Sequence, residues 1–189
     1  MTRIIAGAAR GRRLKVPAAA TRPTSDRVRE ALFSALESAF GLRDAEVLDL
    51  FAGSGALGLE ALSRGASRAV LVDRGTEPAR VMADNARTVG LPGAQVVRSQ
   101  VEKFLCGAPQ GFDIVFLDPP YEAPAGEVQS VLARLAEGWL NPGAVVVVER
   151  GVRGADLVWP PGFAERWDRR FGDTRISRAV WYGHQQDRS

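Results

Sequence analysis

The spacing of apolar positions changes twice along the chain. Over residues 3–16 short apolar runs alternate with Gly and Arg, as Arg3-Ile4-Ile5-Ala6-Gly7 and then Arg10-Gly11-Arg12-Arg13-Leu14-Lys15-Val16. This pattern predicts two short strands joined by a Gly-containing turn, with arginines along one face. Pro17 and Pro23 bracket an Ala/Thr linker. Val28, Ala31, Leu32, Ala35, Leu36 and Ala39 then recur at helical spacing, so a helix starts near Ser25 and stops at Gly41. From there strands are expected at 45–50, 68–73, 94–98, 113–118 and 144–149, with helical segments at 57–64, 77–89, 101–105 and 127–136 between them. Ile114-Val115-Phe116-Leu117 and Val145-Val146-Val147-Val148 lack alternation, as strands covered on both faces do. Strand and helix in turn predict a doubly wound α/β sheet. Beyond Gly151 two aromatic-rich segments, 163–171 and 176–182, flank Gly172-Asp173-Thr174 and read as a closing antiparallel hairpin.

At 189 residues and 46% apolar content the chain fits one domain with a real core. Its net charge of +3 conceals an arrangement. Residues 1–29 hold eight basic groups against Asp26 alone, residues 30–149 hold nine against sixteen acids, and residues 150–178 hold seven against four. We therefore divide the chain into a basic hairpin arm with its linker, 1–24, and a main domain, 25–189. The longest uninterrupted apolar stretch is Ala144 to Val148, far short of a membrane span. The start, Met1-Thr2-Arg3-Ile4-Ile5-Ala6, is too short for a secretion signal, so a cytoplasmic monomer is expected. Cys106 is the single cysteine and His184 the single histidine, which leaves no intramolecular disulfide and no expected metal or histidine-based site.

The first motif, Asp49-Leu50-Phe51-Ala52-Gly53-Ser54-Gly55-Ala56-Leu57-Gly58, stands where the first sheet strand meets its helix. Gly53, Gly55 and Gly58 keep G-x-G-x-x-G spacing, and Asp73 lies twenty residues past Gly53 at the next strand end. Glycines permit a tight turn and close backbone approach, and a strand-end acid can take both ribose hydroxyls. A plain strand-to-helix turn would need neither the acid nor its distance. Asp49, Phe51, Ala52, Ser54, Leu57 and, beside Asp73, Arg74 complete the candidate cofactor residues. A nicotinamide dinucleotide would set a pyrophosphate here, which Asp49 opposes. S-adenosylmethionine carries an ammonium and a sulfonium, which Asp49 and the acidic middle of the chain suit.

The second motif, Asp118-Pro119-Pro120-Tyr121, follows the apolar strand and falls at the edge where open α/β sheets bind ligands. Two prolines remove two backbone donors and stiffen the turn, leaving the Asp118 carboxylate and main-chain carbonyls as acceptors. An exocyclic amine on a nucleobase is a poor nucleophile because its lone pair is delocalised. Accepting its N–H protons in a fixed geometry turns that lone pair outward, while Tyr121 can stack on the base.

These motifs resemble those of amino-group methyltransferases acting on bases. More specifically, the Arg3–Arg12 segment and Thr21-Arg22-Pro23-Thr24 with Asp26-Arg27-Val28-Arg29-Glu30-Ala31-Leu32-Phe33 are similar to the N-terminus of the RsmD family, the small-subunit ribosomal RNA guanine-N2 methyltransferases. The likeness runs in order over roughly residues 3 to 150. It implies a Rossmann-like class I methyltransferase: a seven-stranded, mostly parallel sheet with an antiparallel C-terminal hairpin, helices on both faces and an N-terminal β-hairpin extension. It also implies methylation of one flipped-out guanine of 16S rRNA at N2, with S-adenosylmethionine as cofactor and rRNA or an assembling small subunit as partner. Asp118 and Pro119 would hold the amine, with Pro120 and Tyr121 beside them. One departure concerns the adenine end, where a small Asp or Asn is usual and this chain reads Arg98-Ser99-Gln100-Val101. Gln100, with Val101, is the candidate there, its amide one methylene further out.

Arg3, Arg10, Arg12, Arg13, Lys15, Arg22 and Arg27 are the expected phosphate contacts, giving salt-dependent binding. Arg166, Arg169 and Arg170 are weaker ones. Thr24, Asp26 and Arg27 either cap and pair at the helix start or, as the likeness suggests, close over the cofactor. Rival readings are a DNA adenine-N6 or cytosine-N4 methyltransferase, for which the chain lacks room for a target-recognition domain, a nicotinamide oxidoreductase, and a noncatalytic RNA-binding module.

Overall fold

The computed structural model describes residues 2–18, 24–120, 123–153 and 156–183. Two short antiparallel strands open it, β1 (Thr2–Arg3) and β2 (Arg13–Leu14). Helix α1 (Asp26–Phe40) follows, with the Ser25 side chain accepting the Val28 N–H at its start and Gly41, at φ 73°, ending it. The alternation continues as β3 (Glu46–Leu50), α2 (Ala56–Ser63), β4 (Arg68–Asp73), α3 (Thr76–Val89), β5 (Ala94–Arg98), α4 (Val101–Leu105), β6 (Phe112–Leu117), α5 (Ala125–Leu135) and β7 (Leu140–Gly151). A final pair, β8 (Phe163–Phe171) and β9 (Thr174–Trp181), closes the chain.

The seven strands are ordered β5-β4-β3-β6-β7-β9-β8, parallel as far as β7 and antiparallel in β9 and β8. Alternate residues of one strand feed opposite layers. Val47, Ile114, Phe116 and Val145 meet α1, α2, α3 and the N-terminal hairpin, whereas Leu48, Leu50, Val115 and Val146 meet α4, α5 and Trp139. Both faces being covered explains the unbroken apolar runs.

The predicted helices and sheet strands agree with the observed ones to within a residue or two, except that β7 begins at Leu140 rather than 144, while the strands of the N-terminal hairpin are only two residues each. Asn141-Pro142-Gly143 reads as a turn in sequence. Here it is carried inside the strand as a bulge of β7, whose Leu140 and Val145 pair with Phe112 and Ile114 of β6, and Asn141 Nδ2 donates to Asp113 Oδ1 at 2.8 Å.

The basic hairpin does not stand apart as a free arm. Ile4, Ala9 and Leu14 are buried in the main core. The buried Glu60 carboxylate of α2 accepts the Ile5 and Ala6 N–H groups at 2.8 and 3.0 Å. Ser63 accepts Ala8 N–H through its carbonyl and Ala9 N–H through Oγ, at 2.7 and 2.9 Å. Gly7 makes this contact possible, since an added Cβ would lie 1.8 Å from Ser63 O. The linker over 19–23 lies outside the described residues. Because hairpin and body share one core, Leu14→Ala is expected to lower the stability of the whole protein by about 2–4 kcal/mol. Thermal unfolding checks this; an unchanged midpoint would mean that the hairpin folds independently.

Candidate cofactor and substrate site

Strand order reverses between β3 and β6, so the loops leaving them splay and open a crevice at the carboxyl edge. The β3 loop is shaped by its backbone. Phe51 is held at φ 59°, a region that non-glycine residues rarely occupy, while Ala52 N–H donates to Val72 O at 3.0 Å. Gly53 is left-handed and open on the side where a Cβ would stand, so a ligand can approach the main chain there. Gly55 takes the left-handed cap of α2. Gly58 lets α2 lie on the sheet, because an added Cβ would meet Leu71 Cδ2 at 2.3 Å.

The crevice is lined by Asp49, Phe51, Ala52, Gly53, Ser54, Ala56, Leu57 and Asp118, and by Thr2, Val16, Pro17, Thr24 and Arg29 from the N-terminal segment. Most of the expected loop residues and Asp118 are thus brought together. Gly55 and Gly58 act beneath the loop. Asp73, Arg74, Gln100 and Val101 stand at the ends of β4 and β5, alongside the crevice rather than in its wall. Asp73 already has backbone partners: Oδ2 accepts Gly53 N–H at 3.0 Å and Oδ1 accepts Gly75 N–H at 2.9 Å. It shapes the glycine loop, with a second lone pair on each oxygen left for a hydroxyl. Gln100 precedes α4, exposed, and makes no side-chain cap. Of the second motif, Pro119 is buried and the Pro120 carbonyl accepts Ala123 N–H at 2.9 Å. Tyr121 lies outside the described residues, as do Arg22 and His184.

Burial pushes the Asp49 carboxyl up to about 7, against one hydrogen bond from Gly58 N–H at 2.9 Å and with the charge of Asp73 adding to the rise. Asp118 is raised well above the usual carboxyl range by burial, then by the charges of Glu149 and Asp49. Burial also raises Glu149, against a hydrogen bond from the Thr24 hydroxyl at 2.6 Å. Glu149 escaped the sequence reading. It lies near the end of β7 next to β6, and the pairing of Leu117 with Val148 sets it beside Asp118. Among the described residues no group of three His, Cys, Asp or Glu is placed to hold a metal ion.

Several of the expected phosphate contacts are engaged with the body. Arg3 pairs with Asp26 at 3.2 Å and Lys15 with Asp84 at 3.0 Å. Arg12 caps α3, donating to Thr88 O at 3.0 Å and to Val89 O. Arg10, Arg13 and Arg27 are exposed without such partners among the described residues. Two buried polar residues that no motif marked complete the scaffold. Glu60 holds the hairpin. Asn85 of α3 bonds both backbone groups of Lys15 and donates to Ser54 O at 2.8 Å, tying the N-terminal segment to the glycine loop.

The family described as Conserved hypothetical protein 95 matches residues 2–180. Ribosomal RNA small subunit methyltransferase D of Escherichia coli K12 is 43% identical over 152 residues, 79% of this chain and 75% of that protein. The chain belongs to the RsmD family of methyltransferases. The Haemophilus influenzae relative of the same name is 40% identical over 153 residues, 78% of this chain and 77% of that one. A solved Escherichia coli structure described as a methyltransferase superposes with a TM-score of 0.84 at 36% identity, covering 97% of this chain and 99% of that one. The sheet order and both helical layers are those expected for this RsmD-family methyltransferase, for which S-adenosylmethionine is the expected cofactor. The crevice fits that group: Gly53 offers open backbone, and the buried Asp49 Oδ1 has no hydrogen-bond partner among the described residues.

A raised carboxyl makes stability fall with pH. An unfolded Asp49 loses its proton near 3.8 and the folded one near 7, so its contribution weakens across that interval and is fully lost above it. Asp49→Asn keeps an acceptor for Gly58 N–H. In the ligand-free protein it is expected to add about 1–3 kcal/mol at pH 8 and little at pH 4, while weakening cofactor binding. Denaturant titrations at the two pH values check the sign.

Proposed function

We propose that this methyltransferase modifies the exocyclic N2 amine of one guanine in 16S ribosomal RNA. The observation that carries this reading is the Asp118 carboxylate at the end of β6, facing the crevice beside the glycine loop, in a chain whose relatives are named as ribosomal RNA small subunit methyltransferases. When bound, S-adenosylmethionine supplies a methyl group already activated by a sulfonium, so the protein's task is orientation. Asp118, with the Pro119 carbonyl, accepts the amine N–H groups and turns the lone pair toward the methyl group. Pro120 stiffens the turn and Tyr121 stacks on the base. The environment that raises Asp118 also makes it a better proton acceptor, so it can take the N–H proton once the new N–C bond has formed. Glu149 keeps a second acceptor alongside, oriented by Thr24.

To enter the crevice the guanine must leave its stack, which favours a loop base whose unstacking costs little. The basic residues of the N-terminal segment and the start of α1 face phosphates, with Arg10, Arg13 and Arg27 the exposed candidates, Arg22 a further one by its sequence, and Arg3, Arg12 and Lys15 secondary to their pairing. We place the protein in the cytoplasm as a metal-independent monomer acting on rRNA or an assembling subunit; no helix among the described residues is long and apolar enough to cross a membrane.

Mass mapping of 16S rRNA with and without the protein tests the target: one N2-methylguanine is expected to disappear in its absence. Preferential labelling of DNA by the purified protein would instead favour the adenine-N6 or cytosine-N4 reading. Asp118→Ala is expected to slow methyl transfer by about 10²-fold or more with cofactor affinity little changed. Arg10→Ala with Arg13→Ala should weaken rRNA binding and reduce the salt slope by about 1–2 without touching cofactor binding.

A further inference from the structure

Arg29 is only 1% exposed, yet it forms part of the wall of the crevice that holds Asp49 and Asp118. Its Nη2 donates to Thr2 Oγ1, Arg3 O and Asp26 Oδ1, each at 2.7 Å. Its Nε and Nη1 are buried with no hydrogen-bond partner among the described residues. Its ion-pair partner Asp26 is 43% exposed and also pairs with Arg3, so the compensation Arg29 receives is shared and partly in water. A buried cation with unmet N–H groups is unfavourable unless something else answers them. In the same crevice the buried Asp49 Oδ1 is unmet as well.

The wall therefore carries a guanidinium with two nitrogens unanswered and a carboxylate with one oxygen unanswered. A ligand end with an anion and a cation on one carbon complements both, and an α-amino acid zwitterion has that form. We propose that Arg29 binds the α-carboxylate of the cofactor's methionine moiety through its unpartnered N–H groups, while Asp49 faces the α-ammonium. This rests on the crevice being the S-adenosylmethionine site. A lysine would not serve equally, because the planar guanidinium, anchored at Nη2, leaves its other N–H groups in set directions. The same guanidinium holds Thr2 and Arg3, so carboxylate binding and the seating of the hairpin's first strand depend on one side chain.

Calorimetric titration with three ligands tests this: S-adenosylhomocysteine, its decarboxylated analogue S-adenosyl-3-thiopropylamine, and 5′-methylthioadenosine, which lacks the amino acid group. The wild type is expected to bind the decarboxylated analogue about tenfold or more weakly than S-adenosylhomocysteine. In Arg29→Met that difference should shrink to about twofold or less, with methylthioadenosine bound as by the wild type. Equal affinity of the wild type for the first two ligands overturns the proposal without any variant. A parallel loss for all three ligands in Arg29→Met, or a difference that survives the substitution, overturns it too, since a merely structural role would not follow the carboxylate. Should Arg29→Met fail to fold, Arg29→Lys and Arg29→Gln are judged by the same ratio. Binding of none of the three by the wild type would reject the cofactor assignment of the crevice itself.

Discussion

Three carboxyl groups meet at the carboxyl edge of the sheet, and the surroundings of the site exist to keep them there. Asp49, Asp118 and Glu149 come from the ends of the neighbouring strands β3, β6 and β7. Burial raises all three, and charge repulsion adds to the rise of Asp118. Such an arrangement is unfavourable in an isolated sheet, since like charges in a poorly solvated place favour protonation or unfolding. Two donors answer it locally, Gly58 N–H on Asp49 and the Thr24 hydroxyl on Glu149. The proposed cationic cofactor would complete the compensation, which is how a destabilised edge could serve as a binding site.

The N-terminal segment is accordingly part of the site rather than an appendage to it. Glu60 and Ser63 of α2 take up backbone donors of the hairpin loop, and Asn85 bonds Lys15 and Ser54 together. Glu60 is itself paired with Arg64 at 2.8 Å, so the buried carboxylate is fully answered. Through these contacts the hairpin fixes the segment that carries Thr24 and Arg29 against the glycine loop. Motion of the hairpin would therefore be felt at the cofactor loop, whatever the exposed arginines do with RNA.

The elements were readable in the chain because each apolar period reports one kind of surface: unbroken runs for strands covered twice, helical spacing for α1 and α3. The boundary at β7 differs because Asn141-Pro142-Gly143 carries turn chemistry that a bulge of β7 itself absorbs. Within the site, Asp49 and the glycines were readable since their spacing is set by one local turn. Glu149 and Arg29 were not, because their roles come from strand neighbours and from a helix packed across the crevice. Asp73 reads in sequence as a strand-end acid for ribose hydroxyls, and only the fold reveals that two backbone amides engage its carboxylate.

Charge follows the same division. That the first 29 residues are strongly basic and the middle acidic is written in the chain alone, as are the α/β order and the two motifs, since these depend on residue type and near-neighbour spacing. Which of those charges remain available is set by the folded molecule. Arg3, Arg12 and Lys15 turn to partners 23 to 77 residues away, whereas Arg10 and Arg13 stay in solvent. A side chain's partners are chosen by long-range packing, and burial then sets whether its charge is answered, shared or left for a ligand.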